Sequence, residues 1–88
     1  MKIEVGKFGE ILVSRPAGRE AYLVARSYLR PATGDDTVEL DFSGVKVMGP
    51  SWADEFIGPL QRDYGDKLVL LPCTNASVNE SLRAIEHD

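Results

Sequence analysis

Alternation of apolar and polar positions dominates the start of the chain. Ile3 and Val5 alternate with Lys2 and Glu4, Gly6-Lys7-Phe8-Gly9 supplies turn residues, and Glu10 to Ser14 forms a second short apolar run. This pattern predicts an antiparallel β-hairpin. From about residue 16 to 30 the period changes to three and four. Ala21, Val24, Ala25, Tyr28 and Leu29 then fall on one face of a helix that Pro16 opens and Pro31 and Gly34 end. Val38, Leu40 and Phe42 alternate with Glu39 and Asp41, which predicts a third strand with one face buried. After a loop from Ser43 to Pro50, Ala53, Phe56, Ile57 and Leu60 mark a second helix, opened by a Ser51-x-x-Asp54 capping pattern. Pro59 within it predicts a kink or restart before Gly65 ends the helix. Leu68 to Leu71 is continuously apolar and reads as a central strand covered on both sides. A last helix, capped by Ser77 with Glu80 three residues on, aligns Val78, Leu82 and Ile85.

Taken in order, these elements predict an α/β fold. It is a four-stranded mixed sheet, an N-terminal β-hairpin followed by βαβαβα order, covered by three helices. With 88 residues the chain holds one domain over 1–88, since a second core would find too little surface to bury. The apolar runs are too short to span a membrane. Acid and glycine interrupt the N-terminus where a signal peptide needs an apolar stretch, so the expected compartment is the cytoplasm. A single cysteine, Cys73, offers neither a disulfide framework nor a thiolate metal cluster.

Charge narrows the partners. The net charge of −4 disfavours a nucleic-acid surface, which needs basic residues for the phosphates. The average hides an asymmetry: residues 1–34 hold six Lys/Arg against three Asp/Glu, whereas residues 35–88 hold four against eleven. Such polarity suits oriented docking to a charged protein. Arg19, Arg26 and Arg30 fall within about 40° of one another on the first helix, with Leu23 near the same side. A stripe of guanidinium groups around an apolar contact fits a protein interface or an acidic ligand, and equally the solvated face of an amphipathic helix.

The loop from Gly44 to Ser51 joins a strand end to a helix start, where unpaired N–H groups and the helix dipole favour anions. Its G-x-x-x-x-G spacing lacks the phosphate-binding lysine, because Pro50 stands in that place. Gly49-Pro50-Ser51-Trp52-Ala53 approaches a nucleophile elbow, yet the only histidine is His87 near the C-terminus. No catalytic residue, metal ligand set or cofactor site is therefore predicted. Ser51 has two compatible roles, helix cap and phosphorylation switch. Cys73 precedes a helix and so is either a thiol activated by the dipole or a small buried residue. Asp54, Glu55, Asp63 and Asp66 read as helix-start and surface charges, with Glu55 the one placed to touch a partner.

The stretch Val38-Glu39-Leu40-Asp41-Phe42-Ser43-Gly44-Val45-Lys46-Val47-Met48-Gly49-Pro50-Ser51-Trp52-Ala53-Asp54-Glu55-Phe56 resembles the central segment of the STAS superfamily, the sulphate transporter and anti-sigma factor antagonist domains. The likeness is strongest to the small bacterial STAS-like family of unknown function. Ser14-Arg15 and Leu71-Pro72-Cys73-Thr74-Asn75 extend it over most of the chain. The resemblance implies a STAS-like fold and a non-enzymatic regulatory or adaptor role. It also implies a protein partner, a histidine-kinase-like ATPase or serine kinase of the anti-sigma type, and phosphorylation at the position of Ser51. The antagonists' Asp-Ser-Ser/Thr-Gly pattern is replaced here by Gly49-Pro50-Ser51-Trp52, whose large Trp52 is an aromatic anchor for a partner or for the core. The expected partner surface is thus Gly49, Pro50, Ser51, Trp52 and Glu55 with Arg19, Arg26 and Arg30, with no nucleic acid or membrane involved. The alternative is a small-ligand or phosphate-binding domain in which the helix N-terminus at Gly49 and Ser51 holds the anion and Arg19 or Arg30 approaches it.

Overall fold

The computed structural model describes residues 1–29 and 37–86; Arg30, Pro31, Gly34 and His87, invoked above, lie outside them. The elements are β1 (Lys2–Glu4), β2 (Ile11–Leu12), α1 (Arg15–Tyr28), β3 (Val38–Asp41), β4 (Val47–Met48), α2 (Pro50–Tyr64), β5 (Leu68–Leu70) and α3 (Ala76–Glu86). The α/β class and the three helices are those predicted, but the sheet differs. In place of a hairpin and one four-stranded mixed sheet there are two small parallel sheets, β1-β3-β5 and β2-β4.

The N-terminal strands turn out to run in step with a second pair. β1 lies beside β3 and β2 beside β4, and each chain is interrupted between its two strands, by a 3₁₀ turn over Val5–Phe8 and by a turn at Ser43-Gly44. The two interruptions touch. A Cβ on Gly6 would stand 2.5 Å from the Ser43 carbonyl oxygen, so glycine at 6 serves this close approach and not a hairpin turn. The loop expected from 43 to 50 thereby contributes β4, which closes on Glu10 and Leu12 through backbone hydrogen bonds.

One face of the three-stranded sheet turns inward. Ile3, Val38, Leu40, Leu68 and Leu70 share that side, whereas Lys2, Glu4, Glu39, Asp41 and Val69 share the other. β3, not β5, is the central strand; β5 is an edge whose Val69 stays exposed, so its continuous apolar run does not signify burial on both faces.

The core forms where α2 lies. Trp52, Ala53, Phe56, Ile57 and Leu60 are fully buried on it, and Trp52 stacks on Phe56 at 4.7 Å with Phe8 edge-on to Phe56. The helix runs through Pro59 without a restart and ends at Gly65, as Ile57 and Leu60 on either side of the proline anchor it in the core. Its N-cap is Gly49 with Pro50 following, so Ser51 is two residues too late to cap.

α1 starts one residue earlier than predicted. Ser14 caps it by accepting a hydrogen bond from the Ala17 amide, and its buried stripe is Gly18, Ala21 and Ala25, while Val24 and Tyr28 stay exposed. α3 is capped by Asn75, whose Oδ1 accepts from the Ser77 and Val78 amides, and Val78 is buried with Leu82 and Ile85 packed partly against the core. Ser77 and Ser81 serve β4 instead. The Met48 amide donates to Ser77 Oγ and the Ser81 hydroxyl donates to the Met48 carbonyl, closing with side chains an edge that another strand would otherwise fill. Among the described residues no helix is long and apolar enough to cross a membrane.

Candidate functional site

The first turn of α2 and the seam between α1 and α2 bring together most of the predicted site residues. Their spacing is set by Gly18. A Cβ there would lie 2.5 Å from the Trp52 carbonyl oxygen and 3.0 Å from its Cα, so α1 approaches the backbone of α2 as closely as a bare Cα permits. Arg15, one turn earlier on α1, reaches across to α2. Its Nη1 donates to Asp54 Oδ2 at 2.9 Å and Glu55 Oε1 at 3.2 Å, and those carboxylates, Asp54 first, raise its pKa above the ordinary arginine value. Further along, the Tyr22 hydroxyl donates to Asp63 Oδ2 at 2.6 Å, and that carboxylate is the main reason the phenol pKa is raised.

Between these two bridges lies a groove of about 240 Å³. Arg19, Leu23 and Arg26 line it from α1, and Glu55, Pro59 and Arg62 from α2. Leu23 is half exposed at its rim, so the groove offers guanidinium groups around an apolar contact. Cationic planes of this kind pair with carboxylates and stack on apolar or aromatic surfaces.

Ser51 stands at the second position of α2, half-buried and free of capping duty, three residues before Asp54. Pro50 beside it is exposed. Trp52 is a correction: at 0% exposure, between Phe8 and Phe56, it belongs to the core and presents nothing to a partner. The anion pocket expected at this turn also loses donors, because the Gly49 amide is spent on the Leu12 carbonyl at 2.8 Å and Pro50 has none. Arg19 lies in the groove with Glu55, Pro59 and Arg62.

Residues 24–78, well over half of the chain, match the model of a family described as STAS-like domain of unknown function (DUF4325). The chain belongs to that family. No match was found among curated proteins or among solved structures. In this STAS-like domain the matched stretch contains Ser51, Glu55 and Arg62, whereas Arg15, Arg19 and Leu23 precede it.

Sequence reasoning missed Arg15, Tyr22, Arg62 and Asp63 as members of the site. Arg15 meets carboxylates 39 and 40 residues away, a separation that leaves no local signal. The close helix crossing did leave one, since Gly18, Ala21 and Ala25 form a stripe of small residues. Cys73 is half-buried, its Sγ 3.9 Å from Asn79 Oδ1, and the Asn79 amide donates to the Cys73 carbonyl. Among the described residues no cluster of three His, Cys, Asp or Glu is placed to hold a metal ion.

Proposed function

We propose that this STAS-like domain is a non-enzymatic regulatory or adaptor module of the bacterial cytoplasm. It binds a protein partner along the α1–α2 groove and the turn at Pro50-Ser51, and phosphorylation of Ser51 switches the contact. The partner class follows from the STAS resemblance: an ATPase or serine kinase of the histidine-kinase-like superfamily.

The observation that carries this reading is the placement of Ser51 next to the carboxylates that hold Arg15. A phosphate there adds about −1.5 to −2 charge at a helix N-terminus, where the dipole favours it. Residues three apart on a helix are neighbours, so the phosphate also repels Asp54 and competes with it for Arg15. Glu55, released from Arg15, changes the charge of the groove that Arg19, Arg26 and Arg62 share. One modification thus alters both parts of the surface.

The groove is tested by capture from a lysate of the source cell with wild type and with Arg19→Glu/Arg26→Glu. An ATPase or kinase retained by wild type and lost by the double variant supports the proposal. The same set of proteins on both contradicts it.

A further inference from the structure

On the far side of α1 from that groove lies a second feature, with a different chemistry. β1 is an edge strand: among the described residues it has β3 on one side and no strand on the other. The Glu39 amide donates to the Met1 carbonyl, so in this parallel ladder Met1 and Ile3 spend their backbone groups on β3. The Lys2 N–H and C=O and the Glu4 N–H consequently point outward, while the Glu4 C=O opens the 3₁₀ turn over Val5–Phe8. Beside this edge runs a groove of about 530 Å³, in which Met1, Ile3 and Phe8 and, from α1, Val24 and Tyr28 form an apolar wall, with Lys2, Glu4 and Lys7 along its lining. Tyr28 and Met1 are 69% and 59% exposed, a large apolar area for a domain of this size.

Open edges accept another strand. The charges on this one specify which. Lys2 and Glu4 flank Ile3 symmetrically and lie on the same, solvent-facing side of the sheet. An antiparallel copy of the strand centred on Ile3 sets Lys2 opposite Glu4 of the second chain and Glu4 opposite its Lys2. In that register the Glu4 N–H of each chain meets the Lys2 C=O of the other, so two backbone hydrogen bonds form, and two opposite-charge pairs form as Lys2 and Glu4 turn from their exposed in-chain partners Asp41 and Lys7. We propose that the domain forms a two-fold homodimer by pairing β1 with β1 of a second copy, giving a continuous six-stranded sheet and covering the apolar wall of the groove beside each edge. Val24 and Tyr28 lie roughly 140–180° around α1 from Arg19, so dimerisation leaves both α1–α2 grooves open. The proposal stands independently of the partner reading.

Sedimentation velocity over a concentration series tests it, with far-UV circular dichroism confirming that each variant folds. Wild type is expected to dimerise reversibly. Lys2→Glu and Glu4→Lys each place like charges opposite one another in both pairs and raise the dissociation constant roughly tenfold or more. An equimolar mixture of the two variants restores dimers, because every pair is then of opposite sign, and the double variant Lys2→Glu/Glu4→Lys dimerises alone. A wild type that stays monomeric throughout, single variants that dimerise as wild type does, or a mixture that fails to recover overturns the proposal.

Discussion

Gly18→Ala decides whether α1 and α2 meet backbone to backbone, which sets the shape of the groove. Helix propensity alone predicts stabilisation, since alanine is favoured over glycine in a helix interior by about 0.5–1 kcal/mol. The structure predicts the reverse. The added Cβ would sit 2.5 Å from the Trp52 carbonyl oxygen, 3.0 Å from its Cα and 3.2 Å from Glu55 Cβ, where ordinary contacts begin at 3.4 Å. Two of these atoms are backbone in a helix whose Trp52, Ala53 and Phe56 are fully buried, so no rotamer change relieves the clash. The helices must separate by about an ångström, and overpacking of that order costs about 1–3 kcal/mol. Setting the propensity gain against it leaves a net loss centred on about 1 kcal/mol. For a domain of this size, with a urea m-value near 1 kcal/mol/M, the unfolding midpoint should fall by about 1 M. A midpoint equal to or above that of wild type would refute the close crossing and the groove geometry built on it.

Three further outcomes are expected. Ser51→Ala should change stability by less than about 0.5 kcal/mol in urea unfolding because Ser51 caps nothing, whereas Asn75→Ala should cost about 1–2 kcal/mol through the lost cap of α3. Trp52→Ala should cost about 3–5 kcal/mol in the same assay by emptying the centre of the aromatic cluster. The Asp41 carboxylate accepts from the Ser43 amide and lies 3.2 Å from Lys2 Nζ, so its pKa is lowered to about 2, chiefly by Ser43. Its contribution to stability is present above the unfolded value near 3.9 and is lost as pH falls towards 2. Carbon-detected NMR titration should find that low midpoint, and Asp41→Asn should flatten the stability profile between pH 4 and 2.

Where the sequence succeeded, local periodicity was enough. α2 and α3 were legible because Phe56, Ile57, Leu60, Val78 and Leu82 repeat at helical spacing. The alternation of Val38, Leu40 and Phe42 identified β3. Parallel pairing leaves no such trace, because it joins segments 30 or more residues apart. Gly6-Lys7-Phe8-Gly9 therefore read as a hairpin turn, although Gly6 answers to the Ser43 carbonyl. The serines misled for a related reason: Ser51 and Ser77 fit capping patterns, while Gly49 and Asn75, two residues earlier in each case, do the capping. At the site, the stripe of Arg19 and Arg26 with Leu23 was visible on one helix. Its completion by Arg62, Pro59 and Glu55 depended on how α2 lies across it.

The central claim, that the Ser51 turn governs a protein contact, is tested most directly by parallel capture with wild type, Ser51→Ala and Ser51→Asp. The retained proteins are identified by mass spectrometry and the bait is inspected for phosphate. The account predicts one ATPase or kinase held by wild type and Ser51→Ala, released by Ser51→Asp, with phosphate on Ser51 in the wild-type bait that has lost its partner. Equal retention by all three, with Ser51 unmodified, would contradict it.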